Sequence, residues 1–61
     1  MWFEIYLDNE RKWRWRLYKS LSSGDDVIAT SHQGHLNKRE CETEVQFVKL
    51  TNAFTPIRYT Y

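Results

Sequence analysis

WRWRLYK, residues 13–19, alternates large apolar side chains (Trp13, Trp15, Leu17) with Arg14, Arg16 and Tyr18. Period two over this length is the signature of a strand with one buried face. WFEIYL, residues 2–7, is aromatic and branched apolar around a single Glu4, and reads as a partner strand. Between them DNERK, residues 8–12, breaks the pattern. If that segment is a hairpin loop with Leu7 facing Trp13, then Ile5 faces Trp15 and Phe3 faces Leu17, one wholly apolar face. The other face carries Trp2 opposite Tyr18, Glu4 opposite Arg16 and Tyr6 opposite Arg14. A slip of one residue scatters both sets, so the pattern selects this register.

Working outward, LSSGDD at 21–26 is a turn cluster and DVIATSH at 26–32 a third strand. Its parity stays open, because Val27/Ala29 and Ile28/Thr30 are both half apolar. HQGHL is a loop, and Asn37 with Glu40 three residues on predicts a capping box. A helix follows from Lys38 to about Thr51, with Cys41, Val45 and Val48 on one face, widened by Phe47 and Leu50. Pro56 cannot continue a helix, and alternation in Ile57–Tyr61 predicts a short fourth strand. The expected architecture is α+β: a three-stranded antiparallel sheet, one covering helix and a C-terminal strand, in the order β-β-β-α-β. The helix covers Phe3, Ile5, Trp13, Trp15 and Leu17, which with Cys41, Val45 and Val48 form the expected core. One helix covers only one face of such a sheet. Trp2, Tyr6 and Tyr18 on the other, lying among Glu4, Arg14 and Arg16, mark a candidate interaction face.

The segments WFEIY at 2–6, WRWRL at 13–17, VIATS at 27–31 and NKREC at 37–41, followed by Val45 and Val48, resemble the YegP-like family. These are small bacterial and archaeal domains of unknown function. The resemblance runs from about Trp2 to Ala53 and implies a sheet with a helix on one face. It also implies assembly, because the family occurs as tandem copies in one chain or as paired single copies; one copy here implies a homodimer. It supplies no established catalytic residue. Two departures stand out: the family's first turn usually holds a glycine, where DNERK has none, and a small residue usually stands at the position of Glu44. The tail FTPIRYTY is not clearly family-like.

Composition bounds the function. Sixty-one residues allow a single domain spanning 1–61, burying only about 60% of its unfolded surface. Ten aromatic rings compensate by burying much area each. Nine Lys and Arg against eight Asp and Glu leave a net charge of +1, which disfavours a general polyanion binder. One cysteine excludes an intramolecular disulfide. No apolar run reaches the roughly 18 residues of a membrane span, and Met1 to Leu7 lacks the basic start of a signal peptide. A reduced, cytoplasmic protein is the simplest expectation.

Three constellations invite chemistry. Arg11, Lys12, Arg14, Arg16 and Lys19, interleaved with rings, resemble a platform for single-stranded nucleic acid. However, alternation sends Trp13 and Trp15 to the core, and Glu4 faces Arg16. His32, His35 and Cys41 are three soft ligands where a structural zinc site takes four, so no metal is expected. Cys41 begins the apolar helix stripe and lacks a spaced base, so it reads as a small core hydrophobe rather than a nucleophile. No catalytic residue and no cofactor are expected. The reading is a non-enzymatic interaction module acting as a homodimer. The alternative is a nucleic-acid binder using Lys12, Arg14, Arg16 and Tyr18.

Overall fold

The alternating segments fold back on one another as a hairpin, and the rest of the chain is arranged around it. The computed structural model describes residues 1–60: β1 Trp2–Leu7, β2 Trp13–Leu21, β3 Gly24–Thr30 and α1 Lys38–Lys49. The sheet is antiparallel in the order β1-β2-β3, with β2 central. β1 and β2 pair from Trp2 opposite Tyr18 to Leu7 opposite Trp13. This register puts Ile5 beside Trp15 and Glu4 beside Arg16.

Asp8 organises the glycine-free first turn. Its Oδ1 accepts the backbone N–H groups of Glu10 (2.8 Å) and Lys12 (2.9 Å), and its backbone N–H donates to the Lys12 carbonyl. The reversal drives Arg11 to φ +61°, a left-handed conformation that costs a side-chain-bearing residue about 1–2 kcal/mol. The glycine-free turn thus carries backbone strain at Arg11.

The second hairpin is tighter than expected. Gly24, at φ +130°, lets the chain reverse within Ser22 and Ser23, so β3 begins at Gly24 rather than Asp26. A bulge then resolves the parity of β3. Val27 pairs with Tyr18 and Ala29 with Leu17, so two residues only two apart take opposite faces, Ile28 being the extra residue. β3 stops at Thr30 because Ser31 turns into the fold: its N–H donates to the Trp15 carbonyl, and its buried Oγ accepts the Trp15 N–H at 3.2 Å. The loop returns to bridge His35 to Trp13. Gly34 passes so close to the turn that a Cβ there would lie 2.5 Å from Lys12 Cβ.

The core lies between the sheet and α1. Trp15, Cys41 (0% exposed) and Val45 are buried, with Phe3, Ile5, Trp13, Leu17, Ala29 and Val48 packed on them. Phe3 meets Trp15 edge to face at 5.7 Å between centroids.

Four expectations for the second half of the chain are corrected. Asn37 is the N-cap residue, but its side chain bonds the Glu40 carboxylate at 3.4 Å and caps no backbone N–H. Phe47 and Leu50 do not widen the buried stripe. At about 100° per residue they lie roughly 120° and 180° around the helix from Cys41, and both are exposed. α1 ends at Lys49, and Thr51 folds back on the Val48 carbonyl. The expected fourth strand over Ile57–Tyr61 is absent among the described residues, and Tyr61 lies outside them. A turn at Asn52 and Thr55 leads the tail away from the sheet, where it finds no edge to complete its hydrogen bonds.

Two substitutions test this architecture. Trp15→Ala removes the largest buried ring and is expected to cost about 3–5 kcal/mol, comparable to the whole stability of a chain this size. Loss of cooperative thermal unfolding by circular dichroism is the expected result; an unchanged midpoint would contradict the packing. Arg11→Gly relieves the left-handed strain and is expected to gain about 0.5–1 kcal/mol net of glycine's unfolded-state entropy. The midpoint should rise by a few degrees.

Candidate interaction face

The face of the sheet away from α1 is built by cross-strand pairs. Trp2 and Tyr18, directly opposite, stack with centroids 4.3 Å apart and planes 13° apart. One pair along, Glu4 and Arg16 face each other at 3.4 Å. The Tyr18 hydroxyl joins them: it donates to Glu4 Oε1 at 3.1 Å and accepts from Arg16 Nη1 at 3.4 Å. The guanidinium carbon of Arg16 lies 4.0 Å from the centroid of the Tyr6 ring, a cation–π contact. Tyr18 and then Tyr6 raise the Arg16 pKa above its ordinary value. Glu4 and Arg16 are each more than a third exposed, so this pair is worth no more than about 1 kcal/mol. The rings rather than the ion pair hold the arginine in place.

Arg14 is placed by a residue outside its own pair. Its cross-strand neighbour is Tyr6, yet its Nε donates to Asp8 Oδ2 at 2.6 Å. The turn carboxylate therefore serves two backbone N–H groups and one guanidinium. The Lys12 N–H, followed by Arg14, holds the Asp8 carboxyl below its ordinary range, and Asp8 in turn raises Arg14. An open cleft of about 540 Å³ lies over this end of the face, between Tyr6, Asp8, Glu10, Arg14 and Arg16. Its two guanidiniums are matched by carboxylates. Val27 and Thr30 extend the same face on β3, opposite Tyr18 and Arg16.

All six residues of the candidate face, Trp2, Glu4, Tyr6, Arg14, Arg16 and Tyr18, therefore share one side of one hairpin. Sequence reasoning missed Asp8 as the partner of Arg14, although an Asp opening a short polar turn is the residue type that bonds backbone N–H groups further along. The other reactive side chains lie elsewhere. Cys41 is wholly buried, and burial, with Glu44 and Glu42, pushes its thiol up. A nucleophile requires the accessible, stabilised thiolate that this environment opposes. Among the described residues no three His, Cys, Asp or Glu side chains converge as a metal site. No helix among the described residues is long and apolar enough to cross a membrane.

A second surface lies beyond the sheet. Phe47 and Leu50 on the outer side of α1, and Phe54 (94% exposed), Ile57 and Tyr59 in the tail, are apolar side chains without cover.

Asp8 gives the face a definite pH response. Its folded pKa is depressed, so its contribution is present above its unfolded value of about 4 and is lost as pH falls through the folded value. Asp8→Asn is expected to lower the thermal midpoint at pH 7, with the charge-dependent part of the difference from wild type lost as pH falls through the depressed folded pKa of Asp8. A difference that persists in acid would assign the effect to shape rather than charge.

No family model matches the chain. Two curated relatives do, each 36% identical over 58 residues, which is 95% of this chain and 96% of the relative. They are the UPF0339 proteins of Neisseria meningitidis serogroup B and serogroup A. Identity at this level over nearly the full length of both chains settles the kinship: the chain belongs to the uncharacterised UPF0339 family.

Proposed function

We propose that this protein is a non-enzymatic interaction module of YegP-like type that works as a homodimer. The observation that carries the reading is surface in excess. The chain exposes 5482 Å², roughly 1,200 Å² more than the ~4,200 Å² expected of a compact 7.5 kDa protein. Its radius of gyration is 13.4 Å, against about 10.5 Å for a compact chain of this length. A standard interface buries about 800 Å² on each partner, so the excess is of the size one partner covers.

The exposed residues suggest how the second copy is engaged. Ile57 and Tyr59 alternate with Arg58 and Thr60, a strand pattern without a sheet. β1 and β3 each have an outer edge of unpaired backbone groups. Adding one copy's tail to an edge of the other satisfies both and supplies the fourth strand that is absent among the described residues of a single chain. The lone reduced thiol of Cys41 fits a reducing compartment, the cytoplasm.

Single-stranded nucleic acid at Arg14 and Arg16 is the competing reading, supported by cations interleaved with rings. Against it, both guanidiniums already face carboxylates, Asp8 and Glu4. A phosphate would have to displace them.

Light scattering after size exclusion at micromolar concentration is expected to give twice the 7.5 kDa chain mass. Ile57→Asp, in the exposed tail, should return the mass to one chain while leaving the far-ultraviolet spectrum unchanged. A wild-type monomer at high concentration would overturn the proposal. Tight, salt-sensitive oligonucleotide binding that disappears when Arg14 and Arg16 are both Ala would replace it with the competing reading.

A further inference from the structure

His35 sits where three parts of the fold meet. Its backbone bridges Trp13: the Trp13 N–H donates to the His35 carbonyl at 2.7 Å, and the His35 N–H donates to the Trp13 carbonyl at 2.8 Å. This fills the edge of β2 that β3 leaves at Thr30. The imidazole, 18% exposed, is turned towards α1, with Nε2 at 3.2 Å from Glu44 Oε2 and Nδ1 at 4.0 Å from Glu40 Oε2. The other Glu44 oxygen accepts the Trp15 Nε1–H at 2.5 Å. One carboxylate therefore joins loop, helix and central strand. The Trp15 N–H keeps Glu44 below its ordinary range against the opposing effect of burial, with the imidazole adding to it.

The contact between His35 and Glu44 is close but misdirected. Nε2 is buried within ion-pair distance of Oε2, yet it makes no aligned hydrogen bond. An aligned N–H···O bond serves a neutral ring as well as a charged one; a misaligned contact at this distance draws chiefly on charge. Histidine is the side chain whose charge changes between pH 5 and 8. The charged groups around the ring are few. α1 offers Glu40 and Glu44, with Lys38 placed 5.6 Å from the centroid of the Trp13 ring. From the first turn, Lys12 lays its stem against the position of Gly34.

We propose that His35, Glu44 and Trp15 form a proton-operated latch that fastens residues 31–37 to α1 and β2. With the ring protonated and Glu44 ionised, a cation faces an anion and the latch is closed. Loss of the ring proton leaves a buried Nε2 without an aligned acceptor. The loop is then held only by its two backbone bonds to Trp13. The latch is independent of the oligomeric state and of any ligand of the open face.

Nuclear magnetic resonance of the isotope-labelled full chain tests it. The Trp15 Nε1–H resonance should move between pH 5 and 8 along the titration curve of the His35 ring. Exchange of the Trp13 and His35 amides, corrected for intrinsic base catalysis, should accelerate by about tenfold as the ring discharges, or 1.4 kcal/mol of opening free energy. Exposed His32 is the internal reference, because its titration should leave Trp15 unmoved. His35→Gln should abolish the Trp15 step. If that variant does not fold, the wild-type curves decide alone. A Trp15 resonance that stays flat while both imidazoles titrate would overturn the latch, as would a step that survives in His35→Gln.

Discussion

Trp15 fills the gap between the sheet and α1, and both its indole and its backbone are hydrogen-bonded. Nε1–H donates to Glu44 on α1, while the backbone N–H and carbonyl are both taken by Ser31. One residue thereby fixes the height of the helix above the sheet and the point at which β3 leaves it. The rest of the interior is arranged around it. Cys41 and Val45 reach it from above, and Phe3 meets it edge on from β1. With three buried hydrophobic residues, the domain has little redundancy, and no second cluster exists among the described residues to take over if this one is disturbed.

That economy accounts for the placement of polar groups close to the core. A small residue at the position of Glu44 would let helix and sheet approach more closely but would leave the indole N–H without this acceptor. Glu44 lies roughly 60° around the helix from Cys41, at the border of the buried stripe, so it can serve the indole while remaining partly in water. Ser31 does the equivalent for the backbone. Where the ladder between β2 and β3 ends, its hydroxyl takes the place of a carbonyl. Both are answers to the same demand, that a buried donor must not be left unpaired.

The first hairpin was legible because its two strands alternate over their whole length, and only one register sorts rings from charges. The helix was legible for a similar reason, at a period of 3.6. β3 was not: its bulge puts Val27 and Ala29 on opposite faces, so no single parity describes it, and a bulge leaves no mark in a short strand of mixed residues. Phe47 and Leu50 were assigned inward because they are apolar, although their angular positions already exclude them. In the candidate face, the pairs of Trp2, Glu4 and Tyr6 with Tyr18, Arg16 and Arg14 follow from the register. The bond from Asp8 to Arg14 does not, because it joins a turn to a strand out of register. The contacts of Ser31, His35 and Glu44 depend on how a loop returns to a strand, which periodicity does not encode.

The tail stands apart from all of this, and its composition is what makes that informative. A segment that merely trails in water has no physical use for Phe54, Ile57 and Tyr59; polar residues would serve solubility better. Three large apolar side chains within six residues, following a structured turn at Asn52, make sense against a surface that the single chain does not provide. The open sheet face is the poorer match for them, since its charges are paired with one another and its rings with Arg16 or each other. The free edges of β1 and β3 are the better match, because they offer backbone partners that any strand satisfies regardless of side chain. In the proposed dimer each copy would bring one tail and two free edges, so both tails find an edge. A reciprocal exchange, each tail on its partner, is what would close the pair rather than propagate an open chain of subunits.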